Sequence, residues 1–142
     1  MKIVNKKAYY DFFILEEYIS GLVLIGSEVK SLRKGDVNFN DGYIIFKDGE
    51  VFIKNMRIAQ YKEATYNNHE EMRDKKLLLT KKEISKLSKS YDEKGIAIIP
   101  LEVFTLKNRF KIKIGICRGK KDYDKRNTIR EKDLEREYQR KF

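Results

Sequence analysis

Phe110-Lys111-Ile112-Lys113-Ile114-Gly115-Ile116 alternates apolar with polar or small residues, and this two-residue period decides the fold class. Successive side chains of a strand point to opposite faces, so the apolar set lines one buried face. The period recurs elsewhere. Tyr43-Ile44-Ile45-Phe46-Lys47 and Glu50-Val51-Phe52-Ile53-Lys54 flank Asp48-Gly49, a pair suited to the positive φ angles of a type I′ hairpin turn. Residues 96–105 and 110–116 read as a second hairpin through Lys107-Asn108. Nearer the N-terminus, Tyr10 to Glu17 and Leu22 to Ile25 read as strands parted by Ser20-Gly21, with Asp11, Glu16 and Glu17 facing solvent.

Two stretches change to a helical period. Ser27 to Lys34 sets Val29 and Leu32 on one side and Lys30, Arg33 and Lys34 on another. Thr80-Lys81-Lys82-Glu83 is a capping-box pattern opening a helix that turns Ile84, Leu87 and Tyr91 inward. About six strands, two helices and no βαβ rhythm predict a mainly β fold: an OB-fold-like antiparallel β-barrel with flanking α-helices.

A chain of 142 residues suits one domain. Its 32 Lys and Arg against 22 Asp and Glu leave +10, which points to a polyanionic partner. Composition shifts at residue 118. Residues 118–142 hold ten basic and six acidic side chains with few large apolar groups, so a basic C-terminal tail, disordered when free, follows a barrel over residues 1–117. The barrel keeps +6 of the charge and the tail +4. No window approaches a membrane span, and the N-terminus lacks the apolar region of a secretory signal. A lone cysteine, Cys117, fits a reducing cytoplasm, and with the single histidine, His69, it cannot complete a usual zinc site. No catalytic set, metal site or cofactor motif emerges. His69-Glu70-Glu71 reads as a solvated loop rather than an acid–base or metal site.

Three stretches carry the binding argument. Gly26-Ser27-Glu28-Val29-Lys30-Ser31-Leu32-Arg33 serves either as a capped helix with a solvated basic face or as a helix facing phosphates, with Glu28 able to accept from ribose or base amino groups. In Arg73-Asp74-Lys75-Lys76-Leu77-Leu78-Leu79, three leucines cannot share one face of a strand, so Leu78 points away from Leu77 and Leu79. Gly119-Lys120-Lys121-Asp122-Tyr123-Asp124-Lys125-Arg126 interleaves an aromatic ring with cations, a pattern for stacking on an exposed base. Beyond it, Thr128-Ile129-Arg130-Glu131 is a further capping box. Ile129, Leu134, Tyr138 and Phe142 then form a narrow apolar stripe on a helix too marginal to form except on binding.

These motifs, in order and spacing, resemble the small protein B (SsrA-binding protein) family of bacterial trans-translation over nearly the whole chain. The resemblance implies an OB-like barrel that binds the tRNA-like domain of transfer-messenger RNA and travels with elongation factor Tu and GTP, through that RNA, to stalled ribosomes. There the tail would become helical in the empty message channel near the decoding site of small-subunit ribosomal RNA. It further implies Asn5, Lys6, Glu28, Lys30, Arg33, Arg73, Lys75 and Leu78 as RNA-face residues. Lys120, Lys121, Tyr123, Asp124, Lys125, Arg126 and Arg130 would be the ribosomal tail residues, with no enzyme activity, no membrane and a monomeric state. The sequence departs from the family pattern at Ile19, often acidic, and at Glu70-Glu71-Met72-Arg73-Asp74-Lys75, commonly Asp-Pro-x-Arg-x-Arg. A small basic structural ribosomal protein is the alternative.

Overall fold

The computed structural model describes residues 1–62, 68–127 and 129–130. In chain order its first half runs β1 (Lys2–Val4), α1 (Lys6–Asp11), β2 (Phe12–Leu22), α2 (Gly26–Arg33), β3 (Val37–Asn38), β4 (Tyr43–Lys47) and β5 (Glu50–Lys54). The second half runs β6 (Arg57–Ile58), β7 (Lys75–Leu78), α3 (Lys81–Tyr91), β8 (Ile96–Leu106) and β9 (Arg109–Gly119). The alternating stretch that opened the sequence lies within β9, paired antiparallel to β8 on one side and β2 on the other. The described residues form a mainly β fold: a seven-stranded sheet in the order β1-β8-β9-β2-β7-β5-β4, with β3 and β6 as a separate pair. The sheet curls until β4 lies against β8, giving the expected antiparallel barrel one more strand than foreseen.

Both hairpins form as their turn residues dictate. Asp48 and Gly49 take φ of 53° and 75°, Lys107 and Asn108 take 49° and 63°, and all four lie in the left-handed region a type I′ turn needs. The curl comes from two bulges. Leu15 is an extra residue in β2 opposite β9, and Leu101 is an extra residue in β8 opposite the same strand. An extra residue reverses the facing of every later side chain and tightens the twist. Thus Phe12 and Ile14 pack with Ala8, Ile99, Leu101 and Cys117 beneath α1, whereas Tyr18 and Leu22, beyond the bulge, pack on the main core of Ile112, Ile114 and Ile116. Burial pushes the Cys117 thiol to about 12, which makes it a core group rather than a nucleophile.

The N-terminal third differs from the sequence expectation. Tyr10 and Asp11 belong to α1 instead of a strand, because the Asn5 side chain accepts from the Ala8 N–H at 3.1 Å and starts a helix there. Ser20-Gly21 does not break β2. The Ser20 hydroxyl turns inward to the Leu78 carbonyl at 3.1 Å, and residues 23–25 leave the sheet. Glu17 is exposed, while Asp11 and Glu16 are half-buried. In α3 the Thr80–Glu83 capping box forms, with Leu87 buried and Ile84 half-buried, but Tyr91 is 44% exposed and only leans on Phe46.

β9 carries Arg118 and Gly119 into the sheet, two residues past the expected barrel boundary. Residues 122–127 are helical and start beside α1, where Lys120 and Lys125 contact Tyr9 and Asp11. The Thr128–Glu131 capping box and the stripe at Leu134, Tyr138 and Phe142 fall outside the described residues.

Gly42 sits where a Cβ would lie 2.9 Å from the Pro100 ring and 3.0 Å from the Phe39 carbonyl. Overpacking against a proline ring and a backbone oxygen costs about 1–3 kcal/mol. Gly42→Ala therefore lowers the urea midpoint by that equivalent. Gly26→Ala, with open space at its Cβ and a helical position, leaves the midpoint unchanged or slightly raised.

Candidate nucleic-acid interface

α2 begins where the chain leaves β2, and Ile25 offers no side chain to cap it. Glu28 supplies part of the cap instead: its Oε1 accepts from the Ile25 N–H at 2.8 Å. The same carboxylate has no solvent exposure, so it needs a cationic partner, and Arg73 provides it. The Arg73 guanidinium donates through Nη2 to Glu28 Oε1 at 2.5 Å and through Nε to Oε2 at 3.3 Å, while Nη2 also reaches the Val23 carbonyl at 3.2 Å.

The rest of this loop acts in the same way. His69 is buried, with Nδ1 2.8 Å from the Ser27 hydroxyl and Nε2 2.8 Å from the Ile58 carbonyl. A carbonyl only accepts, so Nε2 carries a proton toward Ile58 while Nδ1 pairs with the Ser27 hydroxyl. The Arg57 guanidinium, 2.7 Å from Glu71 and aided by the Gln60 N–H, holds that carboxyl below the usual range. Lys75 is fully buried and donates to the carbonyls of Met56 at 2.5 Å and Glu71 at 3.3 Å. Residues 69–75 thus form a strap that ties α2 to β6 and β7. His69 is therefore a buried link in this strap and not part of a solvated loop.

Several expected RNA contacts prove to be parts of the scaffold. Lys75, without exposure, cannot reach a ligand in this structure. Glu28 spends both carboxylate oxygens inside the protein. Asn5 is fully buried; besides capping α1 it donates to the Pro100 carbonyl at 2.9 Å, and its own N–H bonds the Leu101 carbonyl at 2.8 Å. Arg73 keeps a partly exposed edge, with 30% of its side chain open.

What the strap holds out to solvent is different. Lys30, Arg33 and Lys34 are exposed along α2, and Lys30 and Lys34 lie 5.4 and 4.7 Å from the ring centre of Tyr61. Leu78 is 55% exposed, opposite Gly21, while Leu77 is buried and Leu79 half-buried, as strand alternation required. Between Leu78 and the β8–β9 turn runs a groove with Leu24, Val29 and Phe110 in its walls and Arg109 and Lys111 at its rim. A neighbouring depression shares Asn108 and Phe110 with it and includes Arg33 in its lining. Arg109, Lys111 and Tyr61 were not singled out in the sequence, although the alternation of 110–116 already placed Lys111 off the core face. Lys6 is exposed on α1, apart from this groove.

The second cationic surface is the start of the tail. Asp124 Oδ2 accepts from the Lys121 N–H at 3.2 Å, half of a capping box, and the Lys125 N–H bonds the Lys121 carbonyl at 3.1 Å. Lys125 Nζ lies 3.4 Å from Asp11, and Lys120 Nζ bonds the Tyr9 carbonyl at 3.3 Å. Tyr123 is 57% exposed, and Lys121, Arg126 and Arg130 are exposed with it. The two surfaces occupy opposite ends of β2. Gly21 pairs with Leu78 at one end and Phe12 with Gly119 at the other, and eleven extended residues span roughly 35 Å at most.

Among the described residues no cluster of three or more His, Cys, Asp or Glu could hold a metal, and no helix is long and apolar enough to cross a membrane.

The scaffold assignments are separable from ligand contact. Asn5→Ala removes a helix cap and a buried hydrogen bond, a loss of about 2 kcal/mol in urea unfolding, whereas Lys6→Ala changes stability by less than about 0.5 kcal/mol. Burial pulls the Lys75 ammonium from 10.5 down to about 8, with Glu28 opposing the shift and Arg73 adding to it. Below pH 8 both folded and unfolded chains hold the proton, and the native state bears the full cost of a buried cation. Between 8 and 10.5 the unfolded chain binds more protons, so this contribution to stability improves as pH rises. The stability of the unmutated chain relative to Lys75→Met therefore increases from pH 8 to 9.5 in urea titrations and stays flat between pH 6 and 7.

A family model described as SmpB protein matches residues 2–142. An SsrA-binding protein of Wolbachia sp. subsp. Drosophila simulans is 50% identical over 137 residues, covering 96% of this chain and 92% of that protein. The SsrA-binding protein of Bacillus cereus is 48% identical over 139 residues, covering 97% and 89%. A solved chain from "tmRNA-SmpB: a journey to the center of the bacterial ribosome" superposes with a TM-score of 0.72 at 38% identity, covering 85% of both chains. By the match along its length and the agreement in fold, the chain belongs to the SmpB protein family.

Proposed function

We propose that this protein is an RNA-binding adaptor of ribosome rescue: it binds the tRNA-like domain of transfer-messenger RNA and brings it to ribosomes stalled without a stop codon. The observation that carries this reading is the pair of cationic surfaces at opposite ends of β2, each combining lysine or arginine with an exposed apolar or aromatic side chain. Cations attract phosphate and set register, while Leu78 and Tyr123 offer surfaces for unstacked bases.

In this reading Lys30, Arg33, the open edge of Arg73, and Leu78 meet the tRNA-like RNA. Asn5, Glu28 and Lys75 act on it only by holding α1, α2 and the strap in place. Lys121, Tyr123, Arg126 and Arg130 meet small-subunit ribosomal RNA near the decoding site, with the tail lying in the empty message channel. Elongation factor Tu with GTP joins through the RNA, and the protein works as a cytoplasmic monomer. The adaptor carries no catalytic step.

The division of labour gives the test. A chain ending at Lys120 keeps β9 whole, so it binds transfer-messenger RNA within about threefold of the full chain in gel-shift titrations. It fails to support peptide tagging on stalled ribosomes. Parallel loss of binding and tagging contradicts the reading.

A further inference from the structure

We propose that Asp11 is a positioning residue that fixes the rotational setting of the tail, so that Tyr123 and Arg126 face outward; the functional part of this inference rests on the adaptor reading above. Asp11 is the last residue of α1, where the helix dipole already concentrates negative potential. A hydrogen bond and an ion pair tie the tail to this point: the Asp11 carbonyl accepts from the Lys120 N–H at 2.8 Å, and its carboxylate Oδ1 lies 3.4 Å from Lys125 Nζ. The neighbouring end of α1 adds to the grip. Lys120 Nζ reaches the Tyr9 carbonyl and lies 5.2 Å from the Phe13 ring centre, and Lys125 Nζ lies 5.9 Å from that of Tyr10.

Helical geometry converts this anchor into an orientation. Residues of an α-helix are separated by roughly 100° about its axis, so a side chain two positions from Lys125 points roughly 200° away. With Lys125 held against Asp11, Tyr123 must face away from the barrel, which matches its 57% exposure. Arg126 is exposed as well, while Lys125 and Asp124 are half-buried. The run Asp124-Lys125-Arg126 therefore divides its work. Asp124 closes the first turn on the Lys121 N–H, Lys125 docks that turn, and Arg126 remains presented to a ligand. A tail whose first turn is already set loses less conformational entropy when it engages a partner.

The test uses the full-length chain with Asp11→Asn, which keeps the backbone contact and removes the charge, and Asp11→Glu, which restores it. In the free protein, 15N relaxation of amides 121–127 should show increased fast motion in Asp11→Asn and recovery in Asp11→Glu. On stalled ribosomes, tagging with Asp11→Asn should fall about threefold to fivefold, the scale of a partly exposed ion pair at a helix end, with transfer-messenger RNA affinity within twofold. Lys125→Ala should produce a similar fall, and the double variant no more than the larger single one. Unchanged relaxation in Asp11→Asn overturns the anchor. Released amides with tagging unchanged or raised overturn the positioning role, since Asp11 would then only mask Lys125. If the unmutated chain supports no tagging, the adaptor reading fails, while the relaxation measurement still decides the anchor.

Discussion

A carboxylate with no access to water must be satisfied by the protein, and Glu28 imposes that demand at the first turn of α2. Its answer, Arg73, lies 45 residues away on the loop that enters β7. The pairing therefore sets where α2 lies on the barrel, and with it the display of Lys30, Arg33 and Lys34. The Ser27–His69–Ile58 chain and the Lys75 contacts with the carbonyls of Met56 and Glu71 fasten the same loop at two further points. Buried ionic groups are poor sources of net stability, but leaving one partner alone is costly. Such a network fixes one arrangement more firmly than it strengthens the fold.

The second constraint is the bulge at Leu15. Without the extra residue, β2 would keep one face throughout, and the packing under α1 and on the main core could not both be served by the same strand. With it, Phe12 and Ile14 pack beneath α1, while Tyr18 and Leu22 join the main core toward the end that carries Leu78. One strand thus separates the two cationic surfaces. Under the adaptor reading, that separation lets each surface meet a different RNA.

Much of this was legible in the sequence. The alternation in β9, the Asp48-Gly49 and Lys107-Asn108 turns, the Thr80–Glu83 cap and the outward facing of Leu78 all follow from local periodicity and turn chemistry. What escaped was set at long range. Asn5 starts a helix within a stretch that read partly as strand, and its amide is completed by Pro100, 95 residues on. Glu28, Arg73 and Lys75 have the composition of an RNA-contacting set, and only the burial of Glu28 and Lys75 shows that these two bond within the protein, Glu28 to Arg73 and Lys75 to the backbone. The alternation rule also has no means of announcing a bulge, so the change of face at Leu15 left no trace in the pattern. The tail's first turn was hidden for a similar reason, because its anchor, Asp11, comes from the other end of the chain.

On the adaptor reading, the two ends of β2 serve different RNAs. A photo-crosslinking amino acid placed at Lys30 and, separately, at Tyr123 of the full-length protein in cells, followed by sequencing of the captured RNA, tests it most directly. Lys30 is expected to capture a tRNA-like transfer-messenger RNA, and Tyr123 small-subunit ribosomal RNA. Capture of the same RNA region from both positions would contradict it.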